Sequence, residues 1–166
     1  MGKYQDWVAY FENLATINVM VQHSTAQKKF FTMKIEELFS AVRNSMPAAD
    51  KGPLVIFIKY IRDISSNPSI KENQQLGIVV LQGYGVNDWE GERTADFNSE
   101  TVLNQFINKM REDSDNGHVL FNHSFDTVKA RITPFSVDWN IPYTGWMATF
   151  PSISGYNCAV NENDWL

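Results

Sequence analysis

Three histidines, one cysteine, two glycine-bearing turns and a carboxylate cluster are where chemistry would have to reside in this 166-residue chain. A transition-metal site needs imidazole, thiolate or carboxylate donors converging on one point. His118 and His123 flank "VLFN", and in a strand that spacing sends them to opposite faces, while His23 is remote in sequence. All three read as polar loop residues. Cys158 is the single cysteine, so neither an intrachain disulfide nor a cysteine-based metal cluster can form. No histidine stands beside it, and it reads as a small, half-buried thiol.

Nucleophile and nucleotide signatures are incomplete. "SISGYN" offers Ser152 and Ser154, but no serine with glycine on both sides as a nucleophile elbow requires. "QGYGVND" carries Gly83 and Gly85 after a strand-like run, without the third glycine and immediate helix of a dinucleotide turn. Glu36 and Glu37 are adjacent on a predicted helix, so they diverge by about 100° and cannot face each other across a substrate. "NDWEGER" gathers Asp88, Glu90 and Glu92 but lacks the spacing and closing glutamate of a calcium loop. The expectation is therefore no catalytic residue, no cofactor and no metal.

What this cluster does suit is contact. Trp89, between Asp88 and Glu90, is read as part of an exposed loop, Tyr84–Arg93, where a bare indole calls for a cover. A second such element is the turn Asn140–Gly145, which carries Tyr143 and leads into Trp146. Loops on a rigid scaffold are where recognition resides, and aromatic residues are enriched in interface cores. Trp89, Asp88, Glu90, Tyr143 and Trp146 are the candidate interface residues.

Composition bounds the partners. Hydrophobic residues at 43% and charged residues at 20% describe an ordinary globular chain, and the length suits a single domain over 1–166. A net charge of −5 argues against gripping nucleic acid, which needs a concentrated basic face. No apolar run approaches the roughly 18 residues needed to cross a bilayer, and the opening "MGKYQDWVAYFENL" has no secretory pattern, so a cytoplasmic product is expected.

The elements that must position these residues follow from periodicity. Trp7, Val8, Phe11 and Leu14 form one helical face, and "INVMVQHS" after it suits either a short strand or a fraying helix end. Ile35, Leu38, Phe39 and Val42 form a second stripe that stops before Pro47. "LVIFIKYI" and "QQLGIVVLQGYG" are buried strands, at 54–61 and 76–82, joined as a hairpin by a long solvated loop, "SSNPSIKEN". A third helix is predicted at 98–111, capped at Asn98 or Ser99, with Val102, Leu103, Phe106, Ile107 and Met110 inward and Gly117 as its stop. In "VKARITPFSVDW" the apolar parity changes at Thr133–Pro134, predicting a bulge or edge break, and after the turn "NIPYTG" Trp146, Ala148 and Phe150 alternate in a last strand. Paired strands without strict strand–helix alternation predict an α+β fold. Its sheet would be mostly antiparallel, of about four strands, with helices on one face and helices preceding it.

This order, in "EELFSAVRN…PLVIFIKYI", "QLGIVVLQGY", "NSETVLNQFINKM" and "ITPFSVDW…GWMATFPS", resembles the tail-terminator and head–tail joining proteins of tailed bacteriophages and related contractile particles. The resemblance covers about 35–151 and leaves an extra N-terminal helix and the "YNCAVNENDWL" tail outside it. It implies a non-catalytic virion protein, assembled in the host cytoplasm, whose subunits form a ring (a hexamer by the resemblance). That ring would end the tail tube, contact tail-tube and neck proteins, and let DNA pass only through its lumen. An accessory binding module of another mobile-element system, or a small enzyme with a polar pocket assembled across the fold, are the alternatives.

Overall fold

A computed structural model describes residues 4–39, 52–65, 71–121 and 130–155. Helix α1 (Tyr4–Ile17) is followed by strand β1 (Phe30–Met33), the short helix α2 (Ile35–Phe39), strands β2 (Leu54–Ser65) and β3 (Lys71–Gly83), the long helix α3 (Trp89–Asp115), and strands β4 (Arg131–Asp138) and β5 (Pro142–Gly155). One five-stranded sheet runs in the order β1-β2-β3-β5-β4. The β1–β2 pair is parallel, and the other three pairs are antiparallel. The α+β class and the β2–β3 hairpin stand as expected, with five strands instead of about four.

β1 is the strand that periodicity missed. "FFTM" is too short to display an alternation, and only its pairing with Val55–Ile58 makes it a strand. The hairpin strands also run further than expected. Polar residues such as Asp63 and Asn73 pair directly, beyond the apolar core of the run, so the connection is short and its residues 66–70 lie outside the described ones.

Strand alternation sends Val55, Phe57, Leu76, Ile78, Val80, Ala148 and Phe150 to one face, where α1 and α3 cover them. Trp7, Phe11 and Leu14 of α1 and Val102, Phe106 and Met110 of α3 complete that core, as their spacing predicts. The other face gathers Leu54, Ile56, Val79, Leu81, Trp139 and Tyr143 with Leu38 of α2. The two long helices thus share one face, while α2 serves the other. Burial on both faces explains the near-continuous apolar runs of the central strands.

"INVMVQHS" is not a strand: α1 ends at its first residue, Ile17, and the Asn18 side chain then accepts the Met20 and Val21 N–H groups and turns the chain. The stripe beyond Phe39, including Val42, lies outside the described residues. β4 shows no bulge. Its register against β5 is continuous from Arg131 to Asp138, so Ile132 simply faces the helix side while Phe135 and Val137 face the α2 side. Being the sheet edge, β4 tolerates Pro134.

Candidate functional site

The predicted acidic loop is half helix. α3 begins at Trp89, nine residues before the expected start at Asn98, because Asp88 is its N-cap: the Asp88 carboxylate Oδ1 accepts the Gly91 N–H at 2.9 Å. Glu90 and Glu92 then occupy the first turn, where carboxylates complement the helix dipole. Asn98 instead donates to Gln82 Oε1 at 3.1 Å, and Ser99 is fully buried against the strand below. Three carboxylates that looked like a loop signature are therefore a helix start. At the far end Gly117, with φ +73°, ends the helix as expected.

The five candidate interface residues separate into two groups. Trp89 is 77% exposed, and Asp88 and Glu90 are exposed beside it. Tyr143, at 1% exposure, is core, with its ring centroid 5.0 Å from that of Trp139. Burial raises its phenol pKa. It has no surface left to present in this chain, which corrects its placement on a contact turn. Trp146 is half-buried and packs against the helix-side core, as its pairing opposite Val80 dictates. The Asn140–Gly145 turn is tied down in two places: Trp139 Nε1 donates to the Leu38 carbonyl at 3.1 Å, and Tyr84 N–H donates to the Pro142 carbonyl at 3.0 Å.

Sequence reasoning missed a second exposed ring near Trp89. Phe97 is 66% exposed, two turns along α3 with Arg93 between them, and Val86 is 73% exposed in the preceding turn. The i, i+8 spacing of Trp89 and Phe97 was visible, but it appears as a stripe only once residues 89–97 are known to be helical.

Across the helical layer a second feature forms. A cavity of about 510 Å³ is lined by Asp6, Ala9, Tyr10 and Asn13 of α1 and by His118, Val119 and Leu120 beyond α3. Tyr10 donates to Asp113 Oδ2 at 2.7 Å, and Lys109 reaches Asp113 Oδ1 at 3.0 Å. Burial and this hydrogen bond push the Tyr10 phenol far above its ordinary pKa, so it keeps its proton. For Asp113, burial pushes upward, but the Tyr10 hydroxyl and Lys109 outweigh it and hold the carboxyl below its usual range. His118 Nδ1 accepts the Leu120 N–H at 3.3 Å. These contacts orient a protonated phenol and a charged carboxylate toward each other.

His23 is held elsewhere, accepting the Lys29 N–H at 3.0 Å and approaching Glu12 at 3.4 Å. Among the described residues no group of three or more His, Cys, Asp or Glu is placed to hold a metal ion. His123 and Cys158 lie outside the described residues. No helix is long and apolar enough to cross a membrane among the described residues. No protein-family model matches the chain, and no curated protein matches it either.

Proposed function

We propose that this chain is a structural assembly protein of the tail-terminator type. In that role it forms a ring on the end of a tail tube, joins the tube to neck or head proteins, and performs no catalysis. One observation carries the reading. Of the eight large apolar residues exposed among the described ones, six (Ile17, Val19, Val86, Trp89, Phe97 and Val119) lie on α1 and α3 or in the turns beside them. Scattered apolar residues on a surface are ordinary, but Val86, Trp89 and Phe97 fall within twelve residues at the start of α3, which supports an interaction face there. A rigid, doubly covered sheet beneath that layer is a suitable platform for it.

The ring would be built in the host cytoplasm and carried in the virion, with DNA passing through its lumen. Imaging tailed particles from cells that produce the chain is the test, with the chain tagged at one end. A single ring of density at the head-proximal end of the tail is the expected result. Particles complete without the chain would overturn the reading.

The small-enzyme reading has one observation in its favour, the cavity that brings Asp6, Tyr10, Asn13 and His118 together. Its weakness is the Tyr10–Asp113 pair, which consumes the most perturbed groups there in a structural contact.

A further inference from the structure

We infer that Asn116 is a self-modification site: its side-chain amide closes onto the Gly117 nitrogen, loses ammonia and becomes aspartate and isoaspartate, at a rate set by opening of the last turn of α3. No partner is needed, so the site stands apart from the assembly role proposed above.

Of the asparagines in the chain, Asn116 alone is followed by glycine. The attacking atom is the backbone nitrogen of the next residue, and a Cβ on that residue would crowd its approach. Both Asn116 and Gly117 are exposed. Among the described residues, nothing lies within 4 Å of where a Gly117 Cβ would stand, so no neighbouring element walls off the attack.

The atoms balance with solvent alone. The Gly117 nitrogen gives up its proton and bonds to Asn116 Cγ, while the Cγ–NH2 bond breaks and the amine takes up a proton to leave as ammonia. One water then opens the resulting succinimide. Cleavage of the new N–Cγ bond gives aspartate, and cleavage of the original peptide bond gives isoaspartate, with the chain running through Cγ. No oxidant or reductant takes part.

The fold restrains the first step. Asn116 is the C-cap of α3 and donates its N–H to the Glu112 carbonyl at 2.9 Å, while Gly117 donates to the Ser114 carbonyl at 3.0 Å. With ψ 2° at Asn116, the Gly117 nitrogen stands beside the Asn116 nitrogen and away from its Cβ. Ring closure therefore needs that angle to rotate and the Ser114 bond to break. Helix ends open locally at low free-energy cost. Two contacts resist the opening here: His118 N–H on the Asp113 carbonyl at 2.9 Å, and the Tyr10 hydroxyl on Asp113 Oδ2 at 2.7 Å.

The products change the helix end. The last turn of α3 carries no basic residue, so a further negative charge there opposes the helix dipole. Isoaspartate also lengthens the main chain by one carbon. That breaks the register which sets His118 on Asp113 and Phe121, 1% exposed, edge-on to Trp7 at 5.3 Å. The end of α3 and its seat on α1 would loosen together.

Incubating the purified full chain at mildly alkaline pH, with tryptic mapping by mass spectrometry over time, tests this. The peptide from Glu112 to Lys129 should gain the mass of an amide-to-acid exchange, located at Asn116 by fragmentation, with both products present. The rate should rise with pH, since the attacking nitrogen must lose its proton, and should be greater in the urea-unfolded chain. Tyr10→Phe removes one restraint and should convert several-fold faster than wild type while keeping its circular dichroism spectrum. Asn116→Gln should keep its urea midpoint through an incubation that lowers that of wild type. A folded wild-type chain that shows no conversion at Asn116, while the unfolded chain converts fully, overturns the inference. So does a Tyr10→Phe rate equal to that of wild type, which removes the gate.

Discussion

Tyr10 and Asp113, 103 residues apart in sequence, share a 2.7 Å hydrogen bond that fastens the middle of α1 to the last turn of α3. Asn18 and Gln105 make a second such clasp at 2.7 Å, so the two helices run antiparallel over the sheet. The layer that carries most of the exposed apolar residues is held by these clasps as well as by its core.

Removing the first clasp should be measurable. Tyr10→Phe takes one donor from a half-buried carboxylate and should cost about 1–2 kcal/mol in urea unfolding at neutral pH. Because the folded Asp113 pKa is lowered, its contribution is present above the unfolded carboxylate value and is lost as pH falls through the folded one. Asp113→Asn should therefore destabilise at pH 7 and differ much less from wild type at about pH 2–3. A gap that is unchanged across that range would contradict the assignment.

The alkaline limb has the opposite sign. Tyr4, Tyr10 and Tyr143 all have phenols raised in the fold, chiefly by burial. Their contribution is intact below the unfolded tyrosine value of about 10 and is lost as pH rises above it toward the folded values. Tyrosinate absorbance should rise in two phases, with the buried tyrosines ionising only as the chain unfolds. A single titration with circular dichroism unchanged would be the contrary result.

Phe106, 2% exposed on the face of α3 that meets the sheet, should not tolerate charge. Phe106→Asp replaces a buried ring by an unpaired carboxylate and is expected to abolish the cooperative thermal transition. A folded mutant with an unchanged Tm would refute the packing of α3.

Gly145 marks the seat of α3 on β5. A Cβ there would run into the Val80 carbonyl oxygen and stand 2.9 Å from the Ser99 Cβ. Gly145→Ala should destabilise by roughly 2 kcal/mol or more, because backbone and a buried helix residue must both give way. Chemical denaturation gives the number, and a neutral substitution would mean that β5 and α3 sit further apart.

Trp89→Ala and Asp88→Ala should divide stability from assembly. Loss of the Asp88 cap costs about 1 kcal/mol of folding stability. Truncating Trp89 should leave Tm nearly unchanged while weakening assembly about thirtyfold, the equivalent of roughly 2 kcal/mol at a buried interfacial anchor. Equal effects of both on Tm and none on assembly would remove Trp89 from the interface.

Strong periodic signals determined much of this protein without the tertiary structure. The stripe Trp7–Phe11–Leu14, the apolar runs of β2 and β3 and the stripe Val102–Phe106–Met110 each identify an element, since burying a face requires its repeat to match the backbone period. Gly117 was readable as a helix stop for an equally local reason, its left-handed φ. Long-range pairing decided the rest. "FFTM" became a strand only beside β2, and the polar ends of β2 and β3 extended only because each supplied the other's hydrogen bonds. Asp88, not Asn98, began α3, because residues 89–97 carry little of an inward stripe and their helicity depends on a cap. The candidate surface divided in the same way. Which residues are aromatic was plain from the sequence, but whether each meets water depends on distant neighbours. Leu38 and Trp139 helped to bury Tyr143, while among the described residues nothing covers most of Trp89 or Phe97.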